Sequence, residues 1–587
     1  MAKDAINNSQ STTGSIPIIV SNTTNEERVT TPELLVEVQA GQMRQGEPPA
    51  QPGERREIVK SASFVALGNL GSSVLGMARQ IVVTSLGASI FGPFTAALRP
   101  TQTFYDFLVN GSVSGALIPT FNDYSAPEKR EEMRRIVYTL VNIIILITLT
   151  VAILFLFISP WLVNNVIGAG FTPAGKVLTL QYSRIIFFSL LALTPFSILL
   201  AALFALKEFG WPAFATASYH IGIIVGAVVG SRIAEQYIGS MGIAFGVLLG
   251  AAGELVLLLP GIRKQRFWYV FAFDIQHPAI RRILKLYAPV AFSFLVSMLL
   301  VFLDQYLTTR TPCLSYVNVK SACGEANSSA MVAATTLIQF PIGLVAAALS
   351  FAVLPTLSTH VREGNSERFN QTLLLGIRLG MLLMIPAAAG LIVLRLPIAT
   401  LIYRHSHYTT GNAQLTAIAM QNMAYQLPFV ALDQLLIAAF YARKNTIIPV
   451  AVQFVSILGY LVVALPFSQT IGMPAMAFAN TVQNSSHAII LLVLLRFIVG
   501  SVRFRSVLPT LGKIVLATLA MVAVAWGIQV LLWHFALFSI NHLLGVFLTV
   551  LLAGGLATIT YFGLVLLLRV EEVNLLKGVI LSKLGRK

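Results

Sequence analysis

The stretch "ALIPTFNDYS" (116–125) returns 236 positions later as "AVLPTLSTHV" (352–361), each copy carrying alanine, two apolar residues, proline and threonine in that order. A second pair, "LFALKEFGWP" (203–212) and "FYARKNTIIP" (440–449), matches Ala205 with Ala442, Lys207 with Lys444 and Pro212 with Pro449 at an offset of 237. Two separate matches at almost the same spacing read as an internal duplication, and the fold must accommodate two similar halves.

Composition sets the solvent of those halves. The chain is 56% hydrophobic and only 11% charged, against about 25% charged for a soluble globular domain. It reads as an all-α polytopic membrane protein. Fourteen apolar spans are expected, near 61–86, 91–121, 136–159, 177–205, 212–232, 239–261, 286–307, 330–356, 372–394, 415–441, 447–467, 474–499, 510–533 and 543–568. At about 1.5 Å per residue each is long enough for roughly 30 Å of hydrocarbon. The first matched pair ends spans two and eight. The other joins span four to five and ten to eleven. Six spans per copy is even, so both halves enter the membrane in the same sense, related by a pseudo-two-fold along the membrane normal. Spans thirteen and fourteen stand outside the repeat. The expected organisation is a polar, disordered tail at 1–55 without signal-peptide features, a first lobe at 56–262, a basic linker at 263–285, a second lobe at 286–500, and two extra spans with a basic tail at 501–587.

The net charge of +16 is a topology signal. Arg55, Arg56, Lys60, the "EKREEMRR" loop, "RKQRF" through "RRILK", "ARKN", "VRFR" and "KLGRK" all fall on one side if both termini are cytoplasmic, as the positive-inside rule requires. Nucleic acid is therefore not an expected partner. Cys313 and Cys323 fall in the longest exterior loop, where either a disulfide or two free thiols is compatible with the sequence.

"SSVLGMARQIVV" (72–83), "VNGSVSGALIPTF" (109–121), "LIQFPIGLVAAALSFAVLPTLS" (337–358) and "FYARKNTIIPV" (440–450) resemble signature segments of the MviN/MurJ-type lipid II flippases, within the multidrug/oligosaccharidyl-lipid/polysaccharide exporter superfamily. The resemblance covers 56 to about 500. It implies a V-shaped two-lobed fold in the bacterial cytoplasmic membrane, acting as a monomer. It also implies alternating-access movement of undecaprenyl-pyrophosphate-linked peptidoglycan precursor from inner to outer leaflet, with a lipid-tail groove from the last two spans. Departures accompany it. Family members usually carry Ser-Arg where this chain has Ser72-Ser73, an acid before glycine where it has Asn110-Gly111, and Ala-Asp-Arg where it has Ala334-Thr335-Thr336. The chain thus resembles a divergent member lacking several cavity charges. Among arginines expected to hold pyrophosphate, Arg79 maps directly, Arg184 in "SRIIFF" fits a family pattern, and Arg99 lies one place from a basic family position.

Physics singles out the same residues, because an ionisable group within a span costs several kcal/mol unless it is paired or lines water. Arg79, Arg99 and Arg184 fall in outward halves of first-lobe spans, and guanidinium forks match phosphate oxygens. The structural alternative is that each snorkels or pairs with Asp106, two turns from Arg99. Glu254, Asp304 and Asp433 are candidates for coupling to a cation or proton, with interhelical bonding as the alternative. His220 and His487 read as satisfied packing residues. "RHSH" (404–407) reads as a solvated loop, and no metal site is expected.

Helix breakers nominate the moving parts. Pro100, Asn110, Gly111 and Pro119 interrupt span two; Gln339 and Pro341, with Thr335 and Thr336 nearby, interrupt its partner span eight. Breakers at depth are tolerated where backbone lines a cavity, so these residues are the cavity and gating candidates. "GFTPAGKV" (170–177) spells the start of a P-loop, but Val177 stands where magnesium needs Ser or Thr. No cofactor is expected, and energy must come from membrane potential or an ion gradient. The competing readings are a flippase for another polyprenyl-linked glycan and a small-molecule or cation antiporter. An enzyme would need clustered loop acids, which the sequence lacks.

Overall fold

The computed structural model describes residues 71–573 except 111–116, 234, 236–238, 320, 500–503, 536, 537 and 539–541. The tail at 1–55 and the start of the first span lie outside the described residues. The first half contains α1 (71–84), α2 (Ala88–Tyr105), α3 (Ile118–Asp123), α4 (Arg130–Leu162), α5 (Pro173–Phe187), α6 (Leu190–Ala205), α7 (Pro212–Val228) and α8 (Gly242–Lys264). The second half contains α9 (Pro278–Arg310), α10 (Cys323–Pro341), α11 (Ala348–Arg362), α12 (Ser366–Val393), α13 (Arg395–Tyr403), α14 (Thr410–Ala424), α15 (Leu427–Ala442), α16 (Ile447–Phe467) and α17 (Met473–Val499). Two further helices follow, α18 (Leu508–Trp533) and α19 (Leu543–Leu567).

An all-helical shell is what hydrocarbon demands, because a helix satisfies every interior backbone group within itself. Among the described residues ten helices are long and apolar enough to cross a membrane, eleven if the pair Thr410–Ala424 and Leu427–Ala442, bent by 45°, is one span. This is a multi-pass membrane protein. Spans one, two and seven of the fourteen expected are missing from that count. The first begins outside the described residues, the second is interrupted after α2, and side chains at 286–297 of α9 are not described.

The duplication is visible in the backbone. Lys207 and Lys444 both adopt a left-handed conformation, with φ of 59° and 57°. Each ends its helix in the same way: Lys207 N donates to Phe204 O and Glu208 N to Leu203 O, and Lys444 N donates to Tyr441 O and Asn445 N to Phe440 O. This is a Schellman closure, in which the last carbonyls are satisfied by a residue placed where glycine is usual. The breaks also correspond. A π-helical turn at Asp106–Asn110 follows α2, and another at Ile342–Ala347 follows α10, starting 236 positions apart. The first break falls between Pro100 and Pro119 and takes in Asn110, and the second follows Pro341 directly; a π turn inserts a residue without breaking the chain's path.

Glycines bring α7 and α8 into backbone contact. A Cβ on Gly222 would lie 2.3 Å from Gly250 N, and one on Gly226 would lie 2.2 Å from Gly242 O. Small residues every fourth position permit this approach, and dispersion and weak C–H···O contacts then hold the pair. The extra helices α18 and α19 pack on one another, α18 against α12 and α19 against α13. Leu516, Leu519, Leu551 and Ile559 face outward from them, as lipid-facing residues should.

The two halves meet at the end that the basic pattern places outside. There α2 packs on α10, Gln305 Nε2 donates to Ile167 O at 3.1 Å, and His407 N donates to Ser85 O at 3.1 Å. The Glu325 carboxylate accepts from Thr172 N at 2.9 Å and from Thr172 Oγ1 at 2.7 Å, capping the start of α5 from the other half. The P-loop-like "GFTPAGK" is therefore a receptor for a carboxylate of the same chain, and its glycines are small for that reason. A Cβ on Gly175 would lie 2.3 Å from Glu325 Oε1, and one on Gly170 would overlap Thr309 O. Cys313 and Cys323 are joined in a disulfide beside this seam, Cα atoms 5.1 Å apart.

The basic linker runs back along the first half. Tyr138 Oη donates to Phe267 O at 2.6 Å and Asn142 Nδ2 to Ala272 O at 2.9 Å. Arg282 pairs with Asp123 at 2.9 Å.

Candidate functional site

Between the halves lies a hollow whose polar lining is Arg99, Asp304, Thr335, Gln339, Gln426 and Asn480, with Met331, Ile338, Ile342 and Met423 completing the wall. Its residues come from α2 on one side and from α9, α10, α14, the α14–α15 bend and α17 on the other. The bend admits Gln426 because Pro428, at the start of α15, removes an amide that a continuous helix would need.

Asp304 is the best-supported group in the hollow. Tyr460 donates to its Oδ1 at 2.6 Å and Asn480 Nδ2 approaches at 3.5 Å. The Arg99 charge acts on the same carboxylate from the opposite half. A cation and an anion thus face one another across the seam between the lobes, both more than nine-tenths buried. Burying such charges is tolerable only because each has partners, and removing one partner leaves the other costly.

The remaining candidates distribute differently from the expectation of one arginine cluster. Thr335 and Gln339 line the hollow with Arg99 and Asp304. Arg184 does not: its Nε donates to Ser159 Oγ and its Nη2 to Leu156 O, both at 3.2 Å, which fastens α5 to α4. Ser159 and the Leu156 carbonyl, which has lost its helical amide to Pro160, give this arginine its partners inside the first lobe. Arg79 is buried elsewhere in that lobe, where its charge and that of Glu254 both act on Tyr219 and where it also acts on His220. So Arg79 neighbours Tyr219 and His220 of α7 and Glu254 neighbours Tyr219, and of the three arginines expected to share a chamber Arg99 is the one that lines this hollow. Thr336 Oγ1 turns back to Val332 O at 3.1 Å. Pro341 closes α10 before the π turn. Asp106 opens the matching turn in the first half. The Asn110 side chain and Gly111 lie outside the described residues.

Asp433 is bonded to His487: Oδ1 and Nδ1 are 2.6 Å apart, and His487 Nε2 lies 3.1 Å from Pro449 O. The sequence reading treated these as unrelated residues. Gln426, Asn480 and Tyr460 were not singled out either. The one available signal was their polarity within apolar spans.

A family profile described as "Lipid II flippase MurJ" matches residues 82–547. The chain belongs to the MurJ lipid II flippase family. A probable lipid II flippase MurJ of Bdellovibrio bacteriovorus is 24% identical over 89% of this chain and 97% of its own length. One of Vibrio cholerae is 26% identical over 73% of this chain and 80% of its own. Among solved structures, a lipid II flippase MurJ in an inward closed conformation superposes with a TM-score of 0.68 at 21% identity, covering 89% of this chain and 99% of that one. An inward-facing multidrug resistance MATE transporter of the MOP superfamily gives 0.61 at 14% identity over 80% and 99%. These structural likenesses carry the fold. Within the MurJ family fold, the hollow described above sits between the repeated halves.

Proposed function

We propose that this protein moves lipid II, or a closely related polyprenyl-pyrophosphate-linked glycan, from the inner to the outer leaflet of a bacterial cytoplasmic membrane by alternating access. It does so as a transporter without nucleotide hydrolysis, as a monomer with cytoplasmic termini and no nucleic-acid partner. One observation carries the reading: Arg99 from the first half and Asp304, Gln339 and Asn480 from the second line one hollow at the seam between lobes. An anionic head group entering there finds a buried guanidinium whose charge is already set against a carboxylate. Pyrophosphate competes with Asp304 for Arg99, and charge-assisted bonds to phosphate exceed those to neutral acceptors. Asp304, released, is then free to take up a cation or proton, which ties substrate loading to the membrane potential or to an ion gradient. The outer seam through Glu325 and Thr172 must part for release, while the matched π turns at 106–110 and 342–347 supply backbone that can rewind.

A second head group is favoured by one feature. Thr335 lines the hollow at a position where the resemblance to the flippase family implies a charge, so a less charged head group would suit it. Leaflet-resolved accessibility of lipid II in vesicles containing the protein tests the proposal. Wild type is expected to expose lipid II at the outer face and Arg99→Ala to lose most of this. Movement of another polyprenyl-linked sugar with none of lipid II selects the second reading, and movement of neither overturns both.

A further inference from the structure

The Asp433–His487 pair lies deeper in the second lobe than the hollow and has no place in the transport reading so far. Its proton count follows from the geometry. Pro449 O can only accept, so His487 Nε2 carries a hydrogen and donates it. The 2.6 Å contact between Nδ1 and Asp433 Oδ1 then requires one further proton, on the acid or on the ring, since two bare acceptors would repel. The pair as built is therefore neutral overall and holds one shared proton.

A polar seam joins this pair to the hollow. Gln426 and Asn480 line the hollow; His487 lies seven residues beyond Asn480 on α17 and Asp433 seven beyond Gln426, which caps the start of α15, two turns or about 10 Å away in each case. Between them Asn484 Nδ2 donates to Gln426 Oε1 at 2.6 Å and to Asn480 O at 3.0 Å. In a lobe otherwise packed with alanine and leucine, these side chains form consecutive rungs between α15 and α17. The surroundings of the pair hold few other charges. Asp433 and His487 act on one another, Tyr441 on α15 lies within reach of Asp433, and α16 presents the Pro449 carbonyl. From α11, Ser350 Oγ bonds Gln434 O, and Arg378 on α12 is committed to Glu572 and Ser506.

We infer that Asp433 and His487 form a proton-binding site that exchanges one proton with the inter-lobe hollow and couples proton movement to transport. On release the shared proton leaves past the Asn484–Gln426 rung to solvent in the hollow, water carrying the proton and the amides lining its path. It leaves a neutral imidazole beside the Asp433 carboxylate: either the remaining ring hydrogen moves to Nδ1 and gives up the Pro449 bond, or it stays on Nε2 and the two facing acceptors part, and in both cases the pair changes from neutral to singly negative. A change of one charge at this depth is expensive enough to bias one packing of α15 on α17 over another. The coupling half rests on the flippase reading; the binding site itself does not.

Two measurements separate these halves. Nitrogen-15 histidine spectra of the protein in lipid nanodiscs, with the His487 resonances assigned by their loss in His487→Gln, are expected to show a protonation change between about pH 5 and 9. In Asp433→Asn, which keeps a hydrogen-bond donor facing Nδ1, that transition moves by at least about one pH unit. A His487 signal unchanged across that range, or an identical transition in Asp433→Asn, overturns the site. In vesicles clamped at zero membrane potential, one coupled proton under a gradient of one pH unit shifts the leaflet ratio of lipid II by up to about tenfold. That response is expected in wild type and lost in Asp433→Asn; if this variant does not fold, His487→Gln carries the comparison. Equal responses, or no response in wild type, overturn the coupling. Wild type that moves no lipid II under any gradient instead removes the flippase reading, and the histidine titration alone then decides the site.

Discussion

The hairpin α7–α8 in the first half and α16–α17 in the second occupy matching places in the duplicated chain, yet they are held together by different means. In the first, Gly222, Gly226 and Gly230 face Gly242, Gly246 and Gly250 at backbone contact. In the second, a Cβ on Gly459 would meet side chains alone, Ser486 Oγ at 3.1 Å and Val482 Cγ1 at 3.6 Å, and α17 turns its polar residues towards α14 and α15: Thr481 to Asn422 O, Asn484 to Gln426, and His487 to Asp433. At the 237 offset Gly250 corresponds to His487. One lobe has used the position for close packing and the other for a titratable group. The lesson is that duplication preserves the path of the backbone, seen in Lys207 and Lys444, while freeing the interior of each copy to specialise. At the hollow the first lobe contributes Arg99 to the wall and the second contributes Asp304.

Breaking that contrast should produce the largest effect at the glycines. Gly226→Leu forces α7 from α8 along its length, because the colliding atom is a backbone oxygen that cannot rotate away. The expected cost is on the order of 3 kcal/mol or more, read as loss of the monodisperse protein and a lowered thermal midpoint in detergent. Gly459→Ala, at the corresponding hairpin, meets a serine hydroxyl that can turn aside and should change stability by no more than about 1 kcal/mol in either direction. Equal losses at the two sites would refute the claim that only the first hairpin depends on glycine contact.

The division between a basic wall and an acidic one is tested next at Arg99. Arg99→Ala leaves Asp304 facing no guanidinium and removes the cation at the seam. Outward movement of lipid II should fall about 10- to 100-fold, the range for one charge-assisted contact worth about 1.5–3 kcal/mol. Pairing it with Asp304→Asn should recover folding stability without recovering transport, since the stranded carboxylate is then gone. A double variant that transports normally would show that the hollow is not the route.

Much of this architecture could be read before any coordinates. The proline-threonine echo and the lysine pair located the repeat, and at the lysines a helix end that must adopt positive φ constrains its neighbours strongly enough to leave a mark in sequence. Hydropathy located the helices for the same reason that lipid enforces them. The interior was less legible. Arg184 lies in an apolar span like Arg99, and nothing in its own window says that Ser159 and the Leu156 carbonyl lie within reach while Asp304 does not; that depends on how α5 rotates against α4. Asp433 and His487 stand 54 residues apart, so their bond is a property of helix packing. The GxxxGxxxG pattern at 222–230 and 242–250 was a signal open to reading, and it predicts the closest helix pair in the first lobe.

A smaller effect is expected at the outer seam, where the lobes differ in what they contribute: the first presents the Thr172 amide and hydroxyl at the start of α5, the second the Glu325 carboxylate. Glu325→Gln keeps the shape but replaces a charged acceptor at a helix N-terminus by a neutral one, a loss of about 1–2 kcal/mol. Amide exchange at Thr172 and Gly175 should accelerate about 5- to 30-fold, with exchange in α7 unaffected. Unchanged protection at Thr172 would mean that the seam is held by the Gly170 and Gly324 backbone contacts and that Glu325 is incidental.

The smallest effect sharpens the comparison from within one lobe. Arg99 is buried and Arg184 half-buried, both on apolar helices, but the first faces the other half and the second faces its own. Arg184→Gln retains a donor for Ser159 Oγ or the Leu156 carbonyl, so it should cost about 1 kcal/mol of stability and leave lipid II movement within about twofold of wild type once protein amount is matched. Arg99→Gln, the same chemical change across the seam, should lose transport with little change in thermal midpoint beyond that of its partner acid. If the two glutamine variants lose transport equally, Arg184 must leave α4 during the cycle and join Arg99 when the seam opens, and the first lobe would be a moving part instead of a wall.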